Sequence, residues 1–523
     1  MQSLKRTTLN KIIILVALVL SPLAALHADD APKPVTATDV AGGAPATVQD
    51  SNTVVPQATR IFIDTTSVTH SMAGGAGASW HAMGPTAFWY EGLIGRDNHH
   101  ARGSGFGGTP PVSYTAAWND LSNEARWLGL DFIRVEMDMK MYEPERGKFD
   151  WGSSDMQNLY RILDHCQKND VDVFLTQMWA DVEWNALPGI NRLQSAPKSV
   201  EDFAKGIGSL LEYLVKARHY TCIRWLCINN EPGRGGSWWL GANGKSVSLM
   251  PSLHAVRAEL DKRGINVPLS GPDWTNPTWE HVENTPEFDF DDKVLGALDA
   301  HNYESSPCTD RMKAWVDKAH ARGIPFLLTE FSSNPPKAYF AQLLNADKMI
   351  EGMKVGVDAF NRWSFVNRGE LDGEWSLVRT FDPKSWNYLR RATPEPVPYF
   401  TYGIMTRFLA KYSRVLKIRN NNPRLSTAAA RSPKGNLSVY VLNKSATAES
   451  VTVQVANLNN PQMLQKYQVT EGSCAKEDFQ MNPIGSFEVS GSKADFTDNL
   501  PPKSITVYST YKLMHGDPGI TGD

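Results

Sequence analysis

The chain has 523 residues, which is more than one ordinary domain needs. Hydrophobic residues make up 41% of it, enough for a large core, and 53 Lys and Arg against 56 Asp and Glu leave a net charge of −3. This balance excludes the basic surface of proteins that bind nucleic acid or anionic membranes, and it favours neutral polymers or small molecules as partners.

The first 28 residues have the pattern of an export signal. Three basic residues precede an unbroken apolar run, Ile12–Leu20, which a Ser-Pro pair ends. Cleavage after Ala28 or Ala25 would release a secreted or periplasmic protein. A transmembrane anchor is the alternative, but the run is short for a bilayer. Residues 29–57 are rich in Ala, Pro, Thr, Val and Asp without periodicity, and we predict a flexible linker.

Over residues 58–405, short β-type runs alternate with amphipathic helical runs, as in βαβ units with a parallel sheet. The strand candidates are Ser79–Met83, Phe132–Asp138, Val171–Met178, Ile223–Asn230, Val267–Asp273, Ala297–Tyr303, Phe326–Phe331 and Ala359–Phe365. The helix candidates are Met156–Gln167, Val200–Arg218, Leu249–Arg263, Arg311–Ala321 and Ala338–Met353. Eight βα units over this length predict an α/β fold, the (β/α)8 TIM barrel.

Residues 406–515 change to a period of two, in which apolar and polar residues alternate. The clearest runs are Ser438–Leu442, Ser450–Val455 and Ser504–Thr510. This pattern predicts a small C-terminal antiparallel β-sandwich domain, and Arg60–Val68 is a candidate extra strand of it. We predict that residues 516–523 form a disordered tail.

Two patterns that could indicate a cofactor lack the required context. Gly103, Gly105 and Gly108 match G-x-G-x-x-G, but no strand precedes them and no helix follows, so a dinucleotide site is not predicted. The five cysteines have no C-x-x-C spacing, and the adjacent His99 and His100 would not share one face. We therefore expect neither a metal nor an organic cofactor.

Two glutamates end predicted barrel strands. In "IRWLCINNEP" an apolar run leads to Glu231, and Pro232, which lacks an N–H, biases it away from helical dihedral angles. In "IPFLLTEFSS" Glu330 follows an apolar run in the same way. The two would end strands four and seven, across the barrel mouth from each other, where barrel enzymes carry their chemistry. One such glutamate alone could be a solvated strand end, but the pair indicates a catalytic site.

With these residues the chain resembles a retaining glycoside hydrolase of clan A, whose members carry the acid/base on strand four and the nucleophile on strand seven. Asn230–Pro232 matches the acid/base motif, and Thr329–Phe331 matches the nucleophile strand. "MYEPERGKFDW" resembles the segment after strand two, and "LPPKSITVYS" the last side-domain strand of families 30 and 39. "AGGAGASWHAM" loosely resembles the first strand of family 30, without its usual Gly-Phe-Gly-Gly. The nearest families are 30, 39 and 5.

The resemblance implies that Glu330 is the nucleophile and Glu231 the acid/base. A retaining pair stands about 5–5.5 Å apart. Arg134 of strand two would keep Glu330 ionised, although a structural pair with Glu136 or Asp138 is the alternative.

Further residues have implied roles in binding the substrate. Asn230 would bind the 2-hydroxyl of the sugar, and Tyr303, which shares a face with His301 at the end of strand six, would hydrogen-bond the nucleophile. Trp363 at the end of strand eight would form the floor of the subsite for the attacked sugar. Aromatic rings stack on sugar faces, so the other cleft candidates are Trp179, Asp181 and Trp238.

The leading hypothesis is a secreted retaining β-glycosidase that hydrolyses a β-linked polysaccharide or oligosaccharide by double displacement, with endo action. An exo-acting enzyme and a transglycosylase are alternatives within the clan. A catalytically inactive carbohydrate-binding barrel is the alternative of another class, but such proteins usually lose one of the two carboxylates. The expected partner is a carbohydrate, with no nucleic acid and no membrane after signal cleavage; the oligomeric state is not predicted.

Overall fold

The structure is a computed structural model. It describes residues 59–83, 107–178, 182–232, 239–275, 288–366 and 375–521, apart from 383, 384, 386, 459, 477, 492 and 493. The predicted export signal and linker lie outside the described residues, as do His99, His100, Gly103 and Gly105. No helix of the described part is long and apolar enough to cross a membrane.

Eight parallel strands form a closed barrel, so the predicted (β/α)8 fold is confirmed. They are strand one (Ala76–Ala78 and Trp80–His81), two (Phe132–Met137), three (Asp172–Gln177), four (Ile223–Cys227), five (Leu269–Trp274), six (Leu295–Asn302), seven (Phe326–Phe331) and eight (Ala359–Arg362). The two pieces of strand one close the barrel, because the first pairs with strand eight and the second with strand two. Glycine is required at Gly77, where a Cβ would stand 1.3 Å from the Phe132 carbonyl oxygen.

The main helices of the barrel are numbered in chain order. They are α1 (Thr115–Leu128), α2 (Ser154–Lys168), α3 (Val200–Glu212), α4 (Met250–Lys262), α5 (Thr309–Ala321), α6 (Tyr339–Val355) and α7 (Pro396–Thr406). The serines before α2 and α3 cap them, since each side chain accepts a bond from a first-turn N–H. All five predicted helices are present; a π-helical turn, Tyr213–Ala217, continues α3.

The barrel interior is apolar at one end and polar at the other. Its apolar layer contains Phe132, Phe174, Trp225, Cys227, Ala297, Leu327 and Ala359, contributed by six strands. Side chains two residues apart share a face of a strand. The next inward positions on strands two and three are accordingly Arg134 and Thr176, which open the polar layer towards the carboxyl ends of the strands.

The β-domain is one nine-stranded, mostly antiparallel sheet. Its strands are Thr59–Ser71, Arg414–Asn420, Leu425–Arg431, Leu437–Asn443, Glu449–Ala456, Gln462–Val469, Gly485–Val489, Asp495–Leu500 and Ser504–Ser509. The predicted extra strand is therefore part of it. The sheet is rolled rather than built from two separate layers: Phe487 and Phe496, from its two edge strands, stack at 4.2 Å.

Along the strand Leu437–Asn443, successive side chains point alternately into two hydrophobic cores. Val439 and Val441 face the inside of the rolled sheet, whereas Tyr440 and Leu442 join the core shared with the barrel. Both faces of this strand are therefore buried.

Two boundaries differ from the prediction. Helix α7 continues across residue 405, where the barrel was expected to end. Residues 516–521 are not a disordered tail: Gly519 N–H donates to the Arg126 carbonyl (2.9 Å), and Ile520 N–H donates to that of Arg407 (3.1 Å). These main-chain bonds hold the segment against α1 and the end of α7.

Candidate active site

Strand four ends at Cys227, earlier than predicted, and Glu231 stands beyond its last ladder residue. The Glu231 N–H donates to the Asp273 carbonyl at 3.1 Å, and the N–H of Asn230 donates to the Met178 carbonyl at 3.3 Å. The segment thus bridges the ends of strands three and five. Glu231 has a φ of 48°, in the left-handed region. Such strain in a residue other than glycine clusters at functional sites, where the surroundings impose it.

Strand seven carries a bulge at Thr329 and Glu330. Its register shifts by one residue there against both strand six and strand eight. An extra residue can re-aim a side chain, and here two consecutive side chains enter the barrel. Thr329 Oγ1 donates to Asp273 Oδ1 at 2.8 Å, and Glu330 Oε2 accepts from Arg134 at 2.6 Å.

The carboxylates of Glu231 and Glu330 lie close together, with His301 between them. One oxygen of each and one ring nitrogen of His301 all lie within 4.8 Å of one another. His301 Nδ1 is 2.9 Å from Glu231 Oε1 and 3.8 Å from Glu330 Oε2. Only 8% of Glu231 and 6% of Glu330 is exposed.

Arg134 is fully buried and joins several strand ends. Its Nη1 donates to Glu330 Oε2 at 2.6 Å and to Glu136 Oε1 at 3.0 Å. Its Nη2 donates to Asp273 Oδ2 at 2.7 Å and to Asn230 Oδ1 at 2.8 Å. The two predicted contacts of Arg134, with Glu330 and with Glu136, are therefore both present in one cluster.

Sequence reasoning missed Asp273. This residue stands at a register shift in strand five with a φ of 56°. Besides Arg134 and Thr329, it contacts His301, whose Nε2 lies 3.0 Å from Asp273 Oδ1. A carboxylate inside the strand segment "SGPDW" was the available signal.

Aromatic residues surround Glu330 and the end of strand eight. The Tyr303 hydroxyl donates to Glu330 Oε1, and the Tyr303 ring meets Trp375 edge-on with centroids 5.8 Å apart. Trp363 directly follows strand eight, and its ring meets His81 of strand one at 4.8 Å. The Tyr303 hydroxyl thus makes the contact with Glu330 that the family resemblance implies.

The remaining cleft candidates all lie outside the described part of the chain, whereas the neighbouring Trp239 lies inside it. Trp179, Asp181 and Trp238 lie outside the described residues. Trp239 is buried and packs edge-on against Phe203 of α3 at 5.7 Å, as a core residue would.

Charges in the polar layer alternate in sign. Burial opposes protonation of His301, but Glu330 and Asp273 outweigh it and raise its pKa to about 10. Burial likewise disfavours the charged form of Asp273, yet Arg134 and His301 lower its pKa to about 2. Burial raises the pKa of Glu330, against the opposing effect of the two cations. His301 is therefore an imidazolium among carboxylates at neutral pH.

Two further carboxyls are driven towards the neutral form. Burial raises the pKa of Asp299 to about 8, with help from the neighbouring Asp273, whose N–H donates to Asp299 Oδ1 at 2.6 Å. Burial also raises the pKa of Glu136 to about 7, although Arg134 opposes the shift.

Among the described residues, two clusters bring possible metal ligands within 4.8 Å of one another: Glu231, His301 and Glu330, and Cys227, Asp273 and Asp299. In the first cluster, His301 lies 2.9 Å from Glu231, and Glu330 accepts from Arg134 at 2.6 Å. In the second, burial raises the pKa of the Cys227 thiol well above its usual value, so that both it and Asp299 are neutral. The contacts of both clusters are those of a buried hydrogen-bond and ion-pair network.

The fold and these strand-end carboxylates define a barrel glycoside hydrolase. A model of the cellulases, glycosyl hydrolase family 5, matches residues 99–367, and the chain belongs to this family. The resemblance to clan A, with family 5 among its nearest families, is thereby confirmed. No curated protein matches the sequence.

Solved structures share the whole architecture at low sequence identity. A family 30 endoxylanase from Clostridium papyrosolvens C71 is 13% identical, with a TM-score of 0.59 over 86% of this chain and 99% of that chain. SrfJ from Salmonella typhimurium is 12% identical, with a TM-score of 0.59 over 87% and 92%. An endo-β1,6-glucanase is 12% identical, with a TM-score of 0.58 over 86% and 94%. At these identities the likeness concerns the fold alone.

Proposed function

We propose that this protein is a retaining, endo-acting β-glycosidase that hydrolyses a β-linked polysaccharide or oligosaccharide by double displacement. The observation that carries the proposal is the approach of the Glu231 and Glu330 carboxylates, with one oxygen of each within 4.8 Å. A retaining mechanism needs carboxyl groups roughly 5–5.5 Å apart, so this approach supports it over an inverting one, whose carboxyl groups stand further apart to admit a water.

In the first step, a carboxylate oxygen of Glu330 bonds to the anomeric carbon while the glycosidic C–O bond breaks. Glu231 gives its proton to the leaving oxygen. Arg134 and Tyr303 both donate to Glu330, and these bonds favour the ionised carboxylate that must attack.

In the second step, Glu231 takes a proton from water, and the water oxygen replaces Glu330 on the anomeric carbon. Glu330 leaves as a carboxylate beside the guanidinium of Arg134, 2.6 Å away. The His301 imidazolium, 2.9 Å from Glu231 Oε1, holds this carboxyl in place during both steps.

The substrate class and endo action are supported by the relatives. The matching family is the cellulases, and the similar structures include an endoxylanase and an endo-β1,6-glucanase. A screen of β-linked polysaccharides tests the class. Endo action would lower the viscosity of the solution well before many reducing ends appear, whereas release of single sugars without a fall in viscosity would contradict it.

The two glutamates can be told apart by their products with azide and an activated aryl glycoside. Glu231→Ala should still form the glycosyl-enzyme, and azide should then give the retained β-glycosyl azide. Glu330→Ala leaves an empty place for azide, which should give the inverted α-glycosyl azide. Proton NMR of the anomeric centre separates them; swapped products would reverse the roles.

A matched control is Glu449→Ala, which removes a buried carboxylate of the β-domain that accepts from Asn422 and Arg424. It should turn over the natural substrate like the unchanged protein. Unimpaired hydrolysis by Glu231→Ala and Glu330→Ala would refute the site.

We also propose that the mature protein is secreted or periplasmic, which rests on the pattern of the first 28 residues. Fractionation and N-terminal sequencing should give a mature chain that begins at Asp29 or Leu26. An intact N-terminus in the cytoplasmic fraction would contradict export.

A further inference from the structure

Lys348 of α6 is a buried lysine whose side chain reaches the end of the strand that carries Glu330. The residue is fully buried. Its ammonium donates to the Asn302 carbonyl at 3.0 Å, the Ser332 carbonyl at 2.7 Å and Ser333 Oγ at 3.1 Å. These three acceptors use all three donors of the ammonium group.

The acceptors lie where strands six and seven stop pairing. Asn302 and Phe331 are the last pair in the register of these strands. Asn302 immediately precedes Tyr303, and Ser332 is the second residue after Glu330. Lys348 therefore joins the two chain segments that carry the Tyr303 hydroxyl and the Glu330 carboxylate, beyond the end of their ladder.

Burying an ammonium group at this position costs folding free energy. No ion pair joins Lys348 to a carboxylate of the described residues, and burial lowers its pKa to about 7, against the smaller effects of Cys308 and Glu304. An apolar side chain would avoid this cost but would leave two buried carbonyls without their donor.

The same hydrogen-bond network continues to the other side of Tyr303. It runs from Ser333 through Asn345, Gln342 and Arg362 to the carbonyl of Trp375, with donor–acceptor distances between 2.9 and 3.4 Å. The Trp375 ring then meets the edge of Tyr303. Tyr303 is thus held through its preceding residue and through its ring.

We propose that Lys348 is a positioning residue for the nucleophile, because it fixes the ends of strands six and seven so that the Tyr303 hydroxyl meets Glu330. The inference rests on the proposed role of Glu330 as nucleophile. Lys348 acts through Tyr303 and does not touch the reacting atoms.

The measurable consequence is the pKa of Glu330. The bond from Tyr303 lowers this pKa, so its loss should raise it. The other titratable groups that face Glu330 are Arg134, Glu231 and His301, with Glu136 and Asp273 adjoining them through Arg134.

The test compares Lys348→Met, Tyr303→Phe and the double variant. The pKa of Glu330 is read directly from its side-chain carboxyl carbon by 13C NMR, assigned with Glu330→Gln, and the acid limb of kcat/KM is read on an aryl glycoside. Each single variant should raise the pKa by roughly half a unit to one unit. The double variant should match Tyr303→Phe, since both changes remove one interaction. We expect kcat/KM to fall between roughly tenfold and 100-fold.

Lys411→Met is the matched control. Lys411 is also a buried lysine, but it contacts Asp170 and Asp172 at the opposite end of the barrel. Its loss should lower the stability without moving the pKa of Glu330. Should Lys348→Met not fold, Ser333→Ala removes one acceptor and should shift the pKa in the same direction by less.

An unmoved Glu330 pKa in Lys348→Met and Ser333→Ala, or shifts that add fully to that of Tyr303→Phe, would overturn the proposal. The NMR titration needs no substrate. If the unchanged protein hydrolyses no glycan, the proposed function fails while the titration still decides the role of Lys348. Hydrolysis that depends on Glu330, together with an unmoved pKa, refutes the role of Lys348 and leaves the function intact.

Discussion

Arg134 and Lys348 are fully buried basic residues on opposite sides of the barrel wall, and both lie close to the segments around Glu330. Arg134 lies inside the barrel and contacts three carboxylates, at 3.0, 2.7 and 2.6 Å, which raise its pKa. Lys348 lies outside, on α6, where two carbonyls and a hydroxyl are its acceptors and its pKa falls to about 7. The two side chains are equally buried, but carboxylates compensate the charge of Arg134, whereas neutral oxygens accept the hydrogen bonds of Lys348.

The difference follows from the shapes of the two groups, which determine what each of them can hold in position. A guanidinium presents a planar fork of donors that suits carboxylates, so Arg134 fixes the positions of charges. An ammonium is a compact point charge with three donors, and here it fixes the backbone that carries the charged side chains. The network inside the barrel wall sets the ionisation of the carboxylates around Arg134. The network outside the wall sets the backbone geometry at the ends of strands six and seven.

Replacing Arg134 should break the inner network most severely. Arg134→Met leaves Glu136, Asp273 and Glu330 without their shared cation. We expect the unfolding free energy to fall by about 3–5 kcal/mol and turnover to fall by roughly 100- to 1,000-fold. Urea unfolding and kcat/KM on an aryl glycoside measure the two effects.

Arg407→Met is the matched control for that variant. Arg407 is a buried arginine that donates to carbonyls, among them those of Trp127 at 2.7 Å and Asp517 at 3.0 Å. Its loss should lower the stability while the folded fraction keeps its turnover. If Arg134→Met keeps turnover within tenfold of that of the unchanged protein, the network around Arg134 has no substantial role in turnover.

Asp273→Asn should weaken the inner network without removing a cation. Asp273 helps to raise the pKa of His301 to about 10, by its charge and by the bond to Nε2. The amide keeps a hydrogen-bond acceptor but loses the charge, so the pKa of His301 should fall by about one unit or more. Nitrogen-15 NMR of the histidine rings follows the titration. An unchanged midpoint would mean that Glu330 alone sets the protonation of His301.

The pH dependence of stability separates the inner and outer networks. The pKa of His301 rises from 6.5 to about 10, so its contribution to stability is complete below pH 6.5 and is lost as the pH rises to 10. The pKa of Lys348 falls from 10.5 to about 7. Between these values the unfolded chain binds a proton that the folded chain does not, and stability rises with pH.

Lys348→Met should therefore change the slope of stability against pH. In the unchanged protein the two contributions oppose each other between pH 7 and 10. The variant loses the rising contribution of Lys348 and keeps the falling one of His301, so its unfolding free energy should fall with pH more steeply than that of the unchanged protein, by at most about 1.4 kcal/mol per unit. Asp273→Asn should move the slope in the opposite direction. Parallel curves for Lys348→Met and the unchanged protein would contradict the low pKa of Lys348.

The periodicity of apolar residues in the sequence predicted the strands and helices that carry these networks. Alternating apolar runs located the barrel strands, and the turn from apolar to polar residues placed Glu231 and Glu330 at one end of the barrel. Arg134 could also be chosen before the structure was known, because a buried arginine needs a carboxylate and the family resemblance implies an arginine at this place in strand two.

The rest depends on local irregularities that periodicity does not encode. The register shifts in strands five and seven turn Asp273 and both Thr329 and Glu330 inward, and a shift of one residue is set by tertiary hydrogen bonds. Lys348 sits in α6, which is buried on most of its surface between the barrel and the β-domain. A lysine in such a helix looks like a solvated position until both neighbours are known.

The smallest loss of stability is expected on replacing His320, at the end of the barrel opposite to Glu330. This residue tests whether an ion pair far from Glu330 affects turnover. His320 Nε2 lies 2.7 Å from Asp358 Oδ2, which also accepts from the Phe326 N–H at 2.9 Å. The bond to Asp358 raises the pKa of His320, so its contribution to stability is present below pH 6.5 and is lost at higher pH. Because 37% of the side chain is exposed, His320→Ala should cost less than about 1 kcal/mol near pH 5.5 and almost nothing near pH 8.5. Turnover should not change at either pH, since neither network at Glu330 is touched. Urea unfolding and kcat/KM at the two pH values check this, and an equal loss of stability at both, or any fall in turnover, would contradict it.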